Sequence, residues 1–266
     1  MKSTSNLKKN KAEWGISIAS KMLFFSLFFI AILAVVSYSE NIQDQADYPA
    51  WFWNPPDNDG YMYAVGLFQP CLLNDSTLLY AKSDAVWNII SQNRINIRLE
   101  SAMSGPESNL MYMGSTINIE VDSLQYDNVS ENNVILDSFY RGNMLIVLVG
   151  QGDDSSGFTG SLIAQDFGDW IHELPADERY FYSAGMAPDY YYQSNSWKEA
   201  LNKALLDMTA QISSKVRSFQ TSDRYSIFQT IVEESEATLT DWQVVARKYD
   251  TANNSCNVLI RMPKFK

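Results

Sequence analysis

Catalysis needs nucleophiles, bases, metal ligands or phosphate-cradling backbone at workable spacings, and this 266-residue chain carries few of them. Its single histidine, His172, lies in Trp170-Ile171-His172-Glu173, and no Gly-x-Ser-x-Gly elbow supplies a nucleophile for it to activate. It reads as a surface or linker residue. One histidine and no Cys/His cluster argue against a zinc centre, so neither metal nor cofactor is expected. Asp57-x-Asp59-Gly60 has the opening of a calcium loop but lacks the later ligands and the bidentate glutamate, and reads as a turn. Glu233, Glu234 and Glu236 form an acidic run of the kind a solvated face carries; glycosidase chemistry needs two carboxylates at a set separation. Gly66 and Gly185 each follow a strand pattern and precede a helix pattern, as a phosphate-binding glycine does. Each stands alone, with no Lys-Ser/Thr after it, so both read as backbone positions where a missing side chain permits a turn. The chain is not expected to be an enzyme.

Binding chemistry is better represented. Trp51 and Trp53 precede the first long element, and Tyr190, Tyr191 and Tyr192 with Trp197 crowd the approach to another. Exposed aromatic rings stack on sugars or anchor protein partners. The competing reading packs Trp51 and Trp53 on a sheet edge as a staple for the N-terminus. Three consecutive tyrosines cannot all face one core.

The elements that position these residues occur twice. An ungapped offset of 119 residues lays Pro56 on Pro175, Tyr61 on Tyr180, Tyr63 on Tyr182 and Gly66 on Gly185. The same offset lays Ala81 on Ala200, Ala85 on Ala204, Gln92 on Gln211 and Arg98 on Arg217. In the first copy, residues 61–66 alternate as a strand. Residues 75–98 carry Leu78, Ala81, Ala85, Ile89 and Gln92 on one helical stripe. Strands are predicted over residues 112–126 and 134–149, with a hairpin break at Arg141-Gly142-Asn143. The second copy repeats a strand at 179–185 and a helix whose apolar face runs from Trp197 through Ala200, Ala204 and Met208 to Ile212 and Val216. Closing strands are predicted over 225–236 and 238–262. The expected fold is α+β: two tandem two-layer units, each a strand, a helix and antiparallel strands with the helix on one sheet face. Domains are expected at 40–150 and 174–266, joined by a linker at 151–173 that is rich in Gly, Ser and Asp.

Composition places the chain outside the cytoplasm. Residues 22–38 form an uncharged apolar run behind Lys2, Lys8, Lys9, Lys11 and Lys21. Residues 1–39 are therefore a signal peptide or an N-terminal membrane anchor, and the remainder is exported. Without that segment, which holds five lysines and Glu13, the 20 basic and 31 acidic residues become 15 and 30. So acidic a body repels nucleic acid and anionic lipid. The only cysteines, Cys71 and Cys256, either bridge the first copy to the end of the second or remain buried thiols.

The string P-x(4)-Y-x-Y-x-x-G, followed by A-x-x-x-A on a helix, resembles the Lpp-twenty-like (Helicobacter-type) envelope lipoprotein family. Pro56, Tyr61, Tyr63, Gly66, Ala81 and Ala85 carry it first; Pro175, Tyr180, Tyr182, Gly185, Ala200 and Ala204 carry it again. The resemblance covers about half of the chain and implies an envelope protein with a helix on an antiparallel sheet and no established catalytic residues. This chain departs in having two copies and no lipid-bearing cysteine after the apolar run. The expected function is thus a non-enzymatic structural or binding component of the bacterial cell envelope. Its partners would be envelope proteins or a second copy, with the membrane engaged through the N-terminal segment. The alternatives are a carbohydrate- or peptidoglycan-binding module using exposed aromatics and, third, an envelope hydrolase.

Overall fold

The computed structural model describes residues 48–56, 62–70, 76–106, 111–121, 132–151, 167–222 and 227–264. Residues 1–39, Asp57, Asp59, Gly60, Cys71 and most of the expected linker lie outside them. Residues 48–266 form one compact unit. Its elements are α1 (Ala50–Trp53), β1 (Met62–Phe68), α2 (Thr77–Asn93), β2 (Arg94–Pro106), β3 (Met111–Val121), β4 (Asn133–Arg141) and β5 (Met144–Gln151). There follow β6 (Tyr180–Pro188), α3 (Gln193–Ser213), β7 (Ser214–Ser222), β8 (Ile227–Thr240), β9 (Gln243–Asp250) and β10 (Ser255–Pro263). The class is α+β, with three antiparallel sheets ordered β1-β5-β4, β6-β10-β9 and β3-β2-β8-β7.

Residue size dictates how the helices sit. Ala81, Ala85 and Ile89 recur every fourth residue on α2 and are fully buried on the β1-β5-β4 sheet. Gly66 lies in mid-strand opposite Val147. A Cβ there would collide with the Ala81 carbonyl oxygen and come within 2.6 Å of the Ala85 nitrogen. Gly185, in mid-strand opposite Val258, faces the Ala200 carbonyl and the Ala204 nitrogen of α3 in the same way. Both glycines therefore permit backbone-to-backbone approach of helix and strand, not the turn that the sequence suggested.

β5 is buried on both faces, which explains its unbroken apolar run. Leu145, Val147 and Val149 lie under α2, while Met144, Ile146 and Leu148 enter the central core. That core also holds Val65 and Leu67 of β1, Leu205 and Met208 of α3, and Val258 and Ile260 of β10. The opposite face of the second sheet, at Tyr182, Ala246 and Leu259, is covered by Trp170 from the segment that the sequence assigned to a linker.

Two expectations fail at the helix ends. α2 stops at Asn93, not residue 98, and α3 at Ser213, so Val216 belongs to β7 and not to a helical face. The reason is visible in Ile95-Asn96-Ile97-Arg98. Ile95 and Ile97 point into the core with no exposure, while Asn96 and Arg98 face outward, a period of two that outweighs the helical one. β2 is further held by a ladder to β8 running from Arg94↔Thr240 to Pro106↔Phe228. Leu78 and Ile212, expected on buried stripes, are 44% and 38% exposed.

Gly66→Ala and Gly185→Ala should each lower stability by about 3 kcal/mol, because the obstructing atoms are backbone and cannot rotate away. Denaturant midpoints of the two variants check this; a loss below about 0.5 kcal/mol in either would contradict the packing described.

Candidate functional site

A cleft of about 370 Å³ opens between α2 and α3. Its floor is Val65 and Leu67 on β1; Asp84, Trp87 and Asn88 line it from α2, and Trp197, Lys198 and Asn202 from α3. β1 is an edge strand, and a free edge leaves backbone groups without ladder partners. Three α2 side chains, each one turn apart, satisfy three of them. Asp84 accepts the Leu67 N–H at 2.8 Å, Asn88 donates to the Val65 carbonyl at 3.0 Å, and Gln92 donates to the Tyr63 carbonyl at 3.2 Å. Asp84 also meets Lys198 at 2.6 Å, so one carboxylate holds a strand edge and the opposing helix.

Arg247 of β9 lies beneath this cleft. It donates to the Phe52 carbonyl at 2.9 Å and stacks 5.0 Å from the Phe52 ring. No carboxylate pairs with it among the described residues, and burial pulls its guanidinium below the usual arginine range. Arginine remains protonated at neutral pH even so. The cleft thus presents one ion pair, two amides, an uncompensated cation and the half-exposed Trp87 ring, at 42%. That combination suits a polar ligand carrying a negative group.

Three of the six aromatics expected to bind ligand are buried, Trp197 among them although it also lines the cleft. Trp51, Trp53 and Trp197 are 5%, 7% and 1% exposed, so none offers an open ring face. Tyr48, Phe52, Trp53 and Trp197 pack against one another with ring centroids 4.4 to 6.3 Å apart. Their polar atoms are engaged. The Trp51 indole donates to Asp137 at 2.8 Å, and Arg141 donates to both the Tyr48 hydroxyl and Gln193. Burial raises the Tyr48 hydroxyl above the usual tyrosine range. In the tyrosine run, Tyr191 is 91% exposed and meets Tyr192 edge-on at 5.1 Å. Tyr190 is tied to Glu199 at 2.7 Å. Tyr191, and to a lesser extent Tyr190 at 41% exposure, are the exposed rings among the expected site residues.

None of the remaining candidates among the described residues lines the cleft. Cys256 is a free thiol with no exposure, raised by burial and set against Ser196; Cys71, its expected partner, lies outside the described residues. His172 sits exposed beside Asp169 at 3.9 Å. Glu234 pairs with Arg98 at 3.1 Å across the β2–β8 ladder. No group of three or more His, Cys, Asp or Glu side chains converges among the described residues. Sequence reasoning missed Trp87, Lys198 and Arg247. Trp87 departs from the buried stripe of α2, the one signal that marked it. Comparison with protein-family models, curated proteins and solved structures finds no match.

Asp84→Ala removes both the partner of the Leu67 N–H and the ion pair, and should cost about 2 kcal/mol. Lys198→Ala removes only the half-exposed ion pair and should cost about 0.5 kcal/mol. Urea midpoints of the two variants test this; equal losses would mean that the edge-strand bond contributes nothing.

Proposed function

We propose that this chain is a non-enzymatic structural or binding component of the bacterial cell envelope, built from two copies of one strand–helix–sheet unit and exported by its N-terminal apolar segment. The observation that carries the duplication is the lock between helix and strand. Gly66 against Ala81 and Ala85, and Gly185 against Ala200 and Ala204, use the same residue types at the same spacing. The strand orders agree as well, β1-β5-β4 beside β6-β10-β9. The likeness of these positions to the Lpp-twenty-like motif, the apolar segment at 22–38 and the acidic remainder support the envelope. The finer division into units at 40–150 and 174–266 belongs to the same reading.

A second reading, binding of a carbohydrate or cell-wall fragment, is favoured by the α2–α3 cleft. Trp87 offers a ring for stacking beside the amides of Asn88 and Asn202, and Arg247 supplies a cation for an acidic sugar. This moves the glycan site away from the tyrosine run, although Tyr191 remains an exposed ring outside it.

Cell fractionation with mass spectrometry of the N-terminus tests the first reading. The chain should partition with membrane or periplasm, its N-terminus lying at Met1 or near residue 40; recovery from the cytosol would sink it. Retention on peptidoglycan that is lost in Trp87→Ala, with an unchanged thermal midpoint, would select the glycan reading. Retention indifferent to Trp87 would remove the cleft from it.

A further inference from the structure

The four-stranded sheet is assembled in an unusual order for a duplicated chain. β2 leaves the end of α2 directly and returns through β3; β7 leaves the end of α3 directly and returns through β8. Corresponding hairpins related by a two-fold axis would pair like edge to like edge, β2 on β7 or β3 on β8. The observed order, β3-β2-β8-β7, instead sets the open side of the second hairpin's return strand against the open side of the first hairpin's leading strand. The contact is head to tail. It consumes one edge of each kind and leaves one of each kind at the ends of the sheet. Among the described residues, β3 and β7 are those end strands.

From this we infer that β3 of one chain pairs with β7 of a second copy, repeating the β8–β2 contact between molecules. The inference rests on reading the two halves as copies in a structural component. The backbone donors and acceptors on the two edges are the ones that already match inside the chain, and an exposed strand edge is a template for further pairing. The register transfers as well. Ile95↔Val121 opens the first hairpin ladder and Ser214↔Ser235 opens the second, so Ile95 corresponds to Ser214 and Val121 to Ser235. Leu99 pairs with Ser235 inside the chain. The equivalent partners between chains are Ser218 and Val121, and the antiparallel ladder then runs from Val121↔Ser218 through Asn118↔Thr221 to Ile117↔Ser222. The faces stay consistent. Ile119 and Val121 pack on the core side of β3, as Ser235 and Ala237 lie on that side of β8, while Asn118 and Glu120 face solvent.

β3 also exposes apolar side chains at its end of the sheet. Ile117 and Met111 are 47% and 65% exposed on it, and its ladder to β2 is irregular only at Ala102/Met103, away from the transferred register. A head-to-tail contact does not use itself up, so the product is a ring or a filament and not a closed dimer.

Cysteine pairing in cells tests this with the full chain. In a Cys71→Ser/Cys256→Ala background, Asn118→Cys/Thr221→Cys and Ile117→Cys/Ser222→Cys place the two residues of each pair at opposite ends of the four-stranded sheet. Strands lie about 4.8 Å apart, so three spacings separate the pair within one chain, beyond disulfide reach. One of these adjacent pairs is a non-hydrogen-bonded pair, whose side chains approach closest. Oxidation of intact cells followed by non-reducing electrophoresis should give a ladder of dimers, trimers and higher forms when both cysteines are on one chain. Mixed single-cysteine chains should stop at dimers, and the shifted pair Asn118→Cys/Ser214→Cys should give no ladder. Ala102→Cys/Val232→Cys, the equivalent pair inside the chain, should close within the monomer and verify the oxidation. Monomer alone from both test pairs, with that internal bond formed, overturns the inference. An envelope-located chain without a ladder fails the inference and leaves the envelope reading standing; a ladder from a chain found in the cytosol does the reverse.

Discussion

The structure depends on two places where a helix backbone touches a strand with no side chain between them. Gly66 and Gly185 remove the atoms that would otherwise hold the helix away, and Ala81, Ala85, Ala200 and Ala204 keep the facing helix surface low. Close approach fixes both the distance and the rotation of each helix. Rotation decides which side chains reach the edge of β1, and so places Asp84, Asn88 and Gln92 on its free backbone groups. Those bonds close an edge that a bare strand would leave open.

The second constraint is the shared sheet. β2 and β8 come from opposite halves of the chain and pair along thirteen residues of β2, while Arg98 and Glu234 meet across the ladder. The Trp242 indole adds a bond to the Ser91 carbonyl at 2.6 Å, joining the turn before β9 to the last turn of α2. The first and second halves therefore form one body, with Val65, Ile146, Leu205 and Val258 in one core. The α2–α3 cleft is a product of that union. Its two walls belong to different helices, and Arg247 reaches its base from a third element.

Much of the local architecture was legible in the residues. The strand before each helix, the alanine stripes and the β4–β5 hairpin at Gly142 follow from spacing that one element imposes on itself. The first strand after each helix was not. The helix expected over residues 75–98 overlaps Ile95-Asn96-Ile97-Arg98, whose own period is two, and only the burial of Ile95 and Ile97 against the core resolves the conflict. Trp51, Trp53 and Trp197 illustrate the other limit. An aromatic run has the same appearance whether its rings stack on each other or face solvent, because the sequence holds no record of what lies opposite. Trp87 escaped notice because it stands alone.

Taken by itself, the sequence determined the doubled strand–helix pattern, the positions that must stay small, the acidic character of the body and the scarcity of reactive side chains. These are properties of single residues or of neighbours within one element, and periodicity carries them. Only the tertiary structure decided that β2 pairs with β8, that the tryptophans close the core, and that Asp84, Lys198 and Arg247 gather around one cleft. Each of those depends on contacts between residues far apart in the chain. An apolar face states that it must be covered, but its pattern does not say by what.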